Sequence, residues 1–294
     1  MPKSILVTGA NGQLGSELRE LSVLYADYTF TFIGRNELDL SNSDAIQHWF
    51  VDKTFDVIIN CAAYTAVDKA ESEQALAREI NTTAVDTLAR IAKEKDSSLI
   101  HISTDYVFDG RNFKPYSETD PTNPQGVYGQ TKLDGEQAML AINPAKSIII
   151  RTSWVYSSFG NNFVKTMMRL GKEREELGVI YDQVGTPTSA RDLAQAIMSI
   201  IQHPKLSTLP ATEIYHFSNE GVCSWYDFAK AIFELSAIHC HVKPIETIDY
   251  PTPATRPHYS LLNKAKIKKT FNITIPYWKD SLQECLDVIK GNKP

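Results

Sequence analysis

The beginning of the chain constrains its fold more than any other segment. Residues 4–8 form a short apolar run typical of a buried strand, and Gly9, Gly12 and Gly15 follow it directly. Such glycines allow a tight turn, close approach of backbone to a pyrophosphate, and close packing of a helix on the strand. Residues 16–24 then form an amphipathic helix whose first amides would face that pyrophosphate. The spacing is not the commoner Gly-x-Gly-x-x-Gly, so an ordinary turn is the alternative.

The rest of the chain alternates between strand-like and helical periodicity, which is typical of a parallel sheet covered by helices on both faces. We therefore expect an α/β fold with a Rossmann-type doubly wound sheet in residues 1–154. Prolines punctuate residues 155–294, where we expect a smaller substrate-binding domain, although a helix near 188–203 could return to the first domain. Strands are predicted at 29–33, 56–60, 98–103 and 147–151, and helices at 43–51, up to residue 92, and at 127–140.

Length and charge exclude several classes of function. The chain has 294 residues, of which 43% are hydrophobic, and is long enough for two domains. Its net charge of -5, without a stripe of lysine and arginine, argues against nucleic acid or an anionic membrane as partner. No apolar run approaches a membrane span and no signal-peptide core follows Met1, so a cytoplasmic protein is expected. The four cysteines form no Cys-x-x-Cys pair and predict neither zinc nor a disulfide.

The residues after the second predicted strand indicate which dinucleotide would bind. Enzymes that use NAD usually place an acidic side chain there to hold the ribose hydroxyls. Arg35 stands there instead, and a guanidinium suits a 2′-phosphate, so NADPH is favoured with NADH as the second choice. A solvated loop arginine is the alternative. Asp39 and Leu40 could meet the adenine, and a turn or capping role for Asp39 remains open.

Three side chains suggest proton and hydride chemistry. Thr104 ends the strand predicted from residue 98, and Tyr128 and Lys132 share one face of the next helix because they are four residues apart. A phenol ordinarily titrates near pH 10, and we expect Lys132 and an oxidised nicotinamide to favour the phenolate. Hydride delivery to a carbonyl carbon, with Tyr128 protonating its oxygen, is the reaction that this arrangement predicts.

The spacing of tyrosine and lysine also occurs a second time, at Tyr226 and Lys230. No strand-end hydroxyl precedes that pair, and its surroundings have the pattern of an amphipathic helix. We therefore expect a structural role for Tyr226.

Six blocks of sequence, spread over nearly the whole chain, carry a resemblance to a known family. They are GANGQLG at 9–15, AAYTAVDKAE at 62–71, STDYVFDG at 103–110, VYGQTK at 127–132, RTSWVY at 151–156 and YPTPATRP at 250–257. These blocks resemble those of the dTDP-4-dehydrorhamnose reductases, which are extended short-chain dehydrogenases/reductases.

The resemblance implies an activity and a set of site residues. The substrate would be dTDP-4-dehydro-β-L-rhamnose, whose C4 ketone NADPH or NADH reduces to give dTDP-β-L-rhamnose, the last step of dTDP-rhamnose biosynthesis. Tyr128 would be the acid, Lys132 the ribose clamp and Thr104 the partner of the sugar oxygen. The cofactor would also contact Gly9, Gly12, Gln13, Leu14, Ala62, Ala63 and Tyr64, and the sugar nucleotide Thr65, Asp105, Trp154 and Arg256.

The roles of two single residues have alternatives. Arg256 would bind the diphosphate, or belong to a rigid turn. Asn81 would serve a water relay behind Lys132, or cap a helix break.

Some relatives form dimers bridged by Mg²⁺, so a homodimer is among the expectations. Glu17 could contribute to such a site, but Arg191 stands where a further acid is needed, so no metal is predicted.

Other functions on the same scaffold remain open from the sequence. A nucleotide-sugar epimerase or epimerase-reductase would need room for the sugar to rotate. A regulatory subunit would bind NADP without turnover, but such subunits commonly lose the acid or the lysine, and Tyr128 and Lys132 are both present. A Rossmann protein with another ligand is the remaining alternative.

Overall fold

The computed structural model describes residues 2–291, and its central feature is a six-stranded sheet. The amino-terminal part contains β1 (Lys3–Thr8), α1 (Gln13–Ser22), β2 (Tyr28–Ile33), α2 (Ser43–Trp49), β3 (Val57–Asn60), α3 (Val67–Ala70), α4 (Gln74–Arg78), a π-helical turn (Glu79–Thr83), α5 (Ala84–Glu94), β4 (Ser98–Thr104), a 3₁₀ turn (Asp105–Val107), α6 (Val127–Ile142) and β5 (Ile148–Thr152). These bounds agree closely with the predicted strands and helices.

The remaining chain has shorter strands and helices of similar length. They are β6 (Val155–Tyr156), α7 (Phe163–Glu173), β7 (Glu176–Ile180), β8 (Val184–Gly185), β9 (Thr188–Ser189), α8 (Ala190–Gln202), α9 (Pro204–Ser207), β10 (Glu213–His216), β11 (Cys223–Ser224), α10 (Trp225–Ser236), β12 (His241–Ile245), a 3₁₀ turn (Thr247–Asp249), α11 (Ala265–Phe271) and α12 (Trp278–Ile289).

The sheet is parallel throughout, in the order β10-β5-β4-β3-β1-β2. Its strands are almost continuously apolar because helices bury both faces. Leu18 of α1 and Ile197 of α8 lie in the core of one face, and Ile46 of α2, Leu88 of α5 and Met139 of α6 in the core of the other. The prediction of a doubly wound α/β sheet is therefore confirmed.

The order of the strands reverses between β1 and β3. The chain proceeds from β1 outward to β2, and then from β3 through β4 to β5 on the other side. In open α/β sheets, ligands bind beyond the carboxyl ends of the strands at such a reversal. This edge is where a site is expected.

Several elements that follow residue 154 pack on this sheet. Strand β10 pairs with β5 as the sixth strand, and α8 packs beside α1. No strand was expected at 213–216, because this edge strand has only four residues and begins and ends with the polar Glu213 and His216. A separate apolar core joins α7, α10 and α12 through Val164, Phe228 and Leu282. No helix among residues 2–291 is long and apolar enough to cross a bilayer.

Candidate active site

The turn after β1 has the shape required for a dinucleotide. Gly9 has a φ of +64°, and a Cβ at this position would lie 2.7 Å from the backbone nitrogen of Ala62, which follows β3. A side chain at Gly15 would collide with the Gly9 carbonyl oxygen. Only glycine therefore lets β1, α1 and the segment after β3 approach so closely.

The first turn of α1 offers free amides to an anion. Gly12 is the N-cap, and no side chain of the described residues caps the helix there. The side chain of Leu14 is buried in the core, so only its backbone could contact a ligand. The Gln13 side chain is held by Asn162, since its Oε1 accepts a hydrogen bond from Nδ2 of Asn162 at 2.9 Å. These features fit the pyrophosphate of NADPH.

The end of β2 presents Arg35 to solvent. Its side chain is 71% exposed, and Nη2 lies 3.5 Å from Oδ2 of Asp39, so the guanidinium is weakly held. Oδ1 of Asp39 accepts from the backbone nitrogen and the hydroxyl of Ser41, which hold the pKa of this carboxyl below its usual range. Asp39 thus orders its own turn. Leu40 is buried in the core, so it could meet adenine only through its backbone.

The segment after β3 is held by Asn81. The Asn81 side chain accepts from the backbone nitrogen of Tyr64 at 2.9 Å and donates to the carbonyl oxygen of Tyr64 at 3.1 Å. It lies inside the π-helical turn and also donates to the Thr131 hydroxyl. Its side chain caps no helix; instead it fixes the loop that carries Ala62, Ala63 and Tyr64.

Tyr128 and Thr104 meet at the carboxyl edge of the sheet. The Thr104 hydroxyl lies close enough to the phenol to influence its pKa, and the Tyr106 ring packs edge-on against the Tyr128 ring, with centroids 5.4 Å apart. Burial raises the pKa of Tyr128 to about 12, and the nearby Thr104 hydroxyl opposes this rise. The phenol is therefore protonated at neutral pH, as an acid that donates to a substrate oxygen must be.

This corrects one expectation. We expected the Lys132 ammonium to favour the phenolate, but here Nζ donates to the carbonyl oxygen of Ile102 at 2.6 Å and lies 3.4 Å from Nε2 of His101. Burial lowers the pKa of Lys132 to about 8, against the influence of Glu136. The pKa of Tyr128 is raised by burial and by the Asp105 carboxyl, and Lys132 does not offset this rise.

Asp105 adds a buried carboxyl beside the phenol. Its Oδ1 accepts from the Thr104 hydroxyl at 2.9 Å, and Oδ2 has no hydrogen-bond partner among residues 2–291. Burial raises the pKa of Asp105 to about 7. A polar group of a sugar could satisfy this oxygen, and the role of Asp105 in substrate binding remains a prediction.

Trp154 lies on the side of the site that faces the second core. Its φ of +49° is unusual for a bulky residue and costs about 1–3 kcal/mol, a strain that clusters at ligand sites. Its ring stacks on Trp225 at 3.6 Å between centroids. The sequence analysis missed Trp225 because nothing in the local pattern links it to residue 154.

Thr65 and Arg256 occupy the other predicted substrate positions. Thr65 is exposed in the loop after β3. Arg256 donates through Nη2 to Oδ2 of Asp68 at 2.7 Å, while its Nη1 is buried without a partner within the described chain. The ion pair joins the 250–257 loop to α3, so Asp68 positions Arg256. Its predicted contact with a diphosphate remains a prediction.

A buried ion pair supports α6 beneath Lys132. Arg151 of β5 donates through Nε and Nη2 to the carboxylate of Glu136, and the Ser103 hydroxyl donates to the same carboxylate. Both charged side chains are at most 4% exposed. The position of Glu136, four residues after Lys132, was the available signal for this pair, but the spacing alone could not show burial.

The predicted absence of a metal was based on Glu17 and Arg191. Glu17 is buried and accepts from the Ser157 hydroxyl at 2.5 Å. Burial raises the pKa of Glu17, with Ser157 and Arg191 opposing the rise. Among the described residues no three His, Cys, Asp or Glu side chains cluster as metal ligands would. The absence of a metal remains a prediction.

Comparison with known proteins places the chain in a family. Residues 3–290 match the family described as RmlD substrate binding domain. A dTDP-4-dehydrorhamnose reductase of Aggregatibacter actinomycetemcomitans is 43% identical over 285 residues, which are 95% of this chain and 97% of that protein.

Two solved structures share this fold. A dTDP-4-dehydrorhamnose reductase of Clostridium acetobutylicum superposes with a TM-score of 0.91 at 43% identity, covering 98% of this chain and 99% of that one. The enzyme of Bacillus anthracis, in complex with NADP, gives 0.90 at 38% identity, covering 97% and 99%. The resemblance seen in the sequence blocks is thereby confirmed, and the chain belongs to the dTDP-4-dehydrorhamnose reductase family.

Proposed function

We propose that this protein reduces the C4 ketone of dTDP-4-dehydro-β-L-rhamnose with NADPH, forming dTDP-β-L-rhamnose; NADH is the second choice of cofactor. Family membership over nearly the whole chain and the fit of the Gly9–Gly15 turn to a dinucleotide support this function. The observation that carries the chemistry is that the partly buried Tyr128 lies beside the buried Thr104 at the carboxyl edge of the sheet.

In the proposed mechanism, the bound cofactor supplies the hydride and the residues of the chain handle the proton. Thr104 holds the ketone oxygen next to Tyr128. The phenol is protonated at neutral pH and gives its proton to that oxygen as negative charge develops there. The Lys132 ammonium lies one helical turn further along, where it would bind ribose hydroxyls.

Incubation with NADPH and the 4-keto sugar nucleotide, made by the preceding pathway enzymes, tests this proposal. We expect the absorbance of NADPH to fall in step with formation of dTDP-β-L-rhamnose, followed by mass spectrometry. An epimerase would change the sugar without net oxidation of NADPH. A regulatory subunit would bind NADPH and leave both compounds unchanged.

Replacing Arg35 with alanine tests the choice of cofactor. A charge-assisted hydrogen bond to the 2′-phosphate contributes about 1.5–3 kcal/mol when shielded, and exposure of Arg35 reduces this. We expect the Kd of NADPH to rise about tenfold and the Kd of NADH to change little, measured by fluorescence titration. Arg169→Ala, at an exposed arginine of α7, is the control. Equal losses for both cofactors would rule out a contact with the phosphate.

We also propose how the chain is divided and where it works. Residues 1–154, joined by α8, would bind the cofactor, and the part built on the α7, α10 and α12 core would complete the sugar pocket beside Trp154. An enzyme that consumes NADPH and a nucleotide sugar acts where both are made, so a cytoplasmic location is proposed. A homodimer is proposed from the resemblance to dimeric relatives.

A further inference from the structure

A row of buried polar side chains crosses the sheet beneath the candidate site. Thr8 of β1, Asn60 of β3 and His101 of β4 are neighbours in register, since Thr8 pairs with Asn60 and Asn60 with His101. Each is at most 1% exposed. All three face the helices α5 and α6, and the row ends at Lys132 of α6.

Hydrogen-bond distances connect the whole row. Oγ1 of Thr8 lies 2.7 Å from Oδ1 of Asn60, and Nδ2 of Asn60 lies 3.1 Å from Nδ1 of His101. On the other side of the imidazole, Nε2 lies 3.4 Å from Nζ of Lys132. The same Nζ donates to the carbonyl oxygen of Ile102 at 2.6 Å.

The donors and acceptors of this row restrict where its protons lie. Burial and the nearby Lys132 lower the pKa of His101 well below its usual range, so the ring is neutral and carries one N–H. An ammonium can only donate, so Nε2 must be the acceptor and Nδ1 must hold the proton. Nδ1–H then needs an oxygen acceptor. Rotating the Asn60 amide by 180° places Oδ1 next to Nδ1 of His101 and Nδ2 next to Oγ1 of Thr8.

We propose that His101, as the Nδ1–H tautomer oriented by Asn60, is a positioning residue that accepts a hydrogen bond from Lys132. Two of the three ammonium hydrogens are then directed at His101 and at the Ile102 carbonyl oxygen, which leaves the third for a ribose hydroxyl. The inference rests on the proposed function, because it explains how the predicted ribose clamp is held. It also links Lys132 through Thr8 to the turn that begins at Gly9.

The charges around Lys132 set the sign of the expected pH effect. Glu136, on the same helix, raises the pKa of Lys132, and Arg151 of β5 shares that carboxylate. The side chain of β4 next to the ammonium is the neutral His101, and the side chain of β3 that follows it is the uncharged Asn60. Loss of the imidazole acceptor removes a hydrogen bond that is stronger from the charged amine than from the neutral one, so the pKa of Lys132 should fall further.

A matched pair of substitutions separates hydrogen bonding from packing. His101→Gln keeps an acceptor of similar reach, whereas His101→Met fills a similar volume without one. We expect His101→Met to raise the Kd of NADPH about fivefold and to move the alkaline limit of NADPH binding to lower pH. His101→Gln should stay within about twofold of the wild type. Equal effects of the two variants would overturn the proposal.

A second measurement does not depend on activity or on the variants. In protein labelled with ¹⁵N-histidine, we expect the His101 resonances to report a protonated Nδ1 and an unprotonated Nε2 from pH 6 to pH 8; a protonated Nε2 would contradict the proposal.

His216→Gln is the control for the binding measurements, because His216 is equally buried in β10 and its Nδ1 lies 3.1 Å from the Tyr116 carbonyl oxygen. It should leave NADPH binding unchanged. Failure of the proposed reductase activity would leave the tautomer result intact, so the two hypotheses are distinguished.

Discussion

Replacing Tyr128 with phenylalanine will lower kcat by at least ~100-fold while the Kd of NADPH stays nearly unchanged. The substitution removes one oxygen, the phenolic oxygen beside Thr104 that would give its proton to the ketone oxygen. Proton transfer by a positioned side chain typically contributes 10²–10⁴-fold to a rate. The ring itself remains to pack against Tyr106. Steady-state oxidation of NADPH and a fluorescence titration of its binding measure the two quantities.

The second tyrosine–lysine pair supplies the control. Tyr226 lies on α10, and Nζ of Lys230 lies 5.8 Å from the centroid of its ring. Tyr226→Phe should therefore retain wild-type kcat. Full activity of Tyr128→Phe, or a comparable loss in both variants, would remove the phenol from the mechanism.

Replacing Arg151 with methionine will lower the free energy of unfolding by about 3–5 kcal/mol, because it leaves the Glu136 carboxylate buried without its cation. The pair is inaccessible to water, and its two parallel hydrogen bonds join β5 to α6. Denaturant unfolding followed by circular dichroism measures the loss. We expect NADPH binding to weaken as well, since α6 carries Tyr128 and Lys132.

Two controls show whether burial causes that loss. The double variant Arg151→Met, Glu136→Leu removes both charges and should recover much of the lost stability, because apolar replacement of a buried pair is often nearly neutral. Arg169→Met breaks an exposed pair with Glu173 and should cost less than about 1 kcal/mol. If Arg151→Met were no more harmful than Arg169→Met, the pair would not support the site.

The six-stranded sheet shows how far local sequence patterns reach. Five of its strands follow from apolar runs, because a strand buried on both faces needs almost only apolar side chains. Strand β10 contains Glu213 and His216 and lies at the edge, so its sequence resembles that of a loop. Pairing with β5 makes it a strand, and that pairing joins residues 65 positions apart, such as Ile148 and Glu213.

Some residues of the candidate site can be predicted from local sequence patterns, and others cannot. The positions of Gly9 and Gly12, and the spacing of Tyr128 and Lys132, are local features that the chain displays directly. The pairings of Arg256 with Asp68, and of Trp154 with Trp225, join segments far apart in sequence. No local pattern could have predicted them.

By itself, the sequence determined the parallel α/β sheet, the glycine turn and the placement of a phenol and an amine on one helical face, because periodicity and short spacings are properties of neighbouring residues. Tertiary structure decided that Tyr128 holds its proton more tightly than a free phenol, and that Lys132 is bound to Ile102 and His101. Protonation and hydrogen bonding depend on burial and on partners from other strands, and these exist only once the chain has folded.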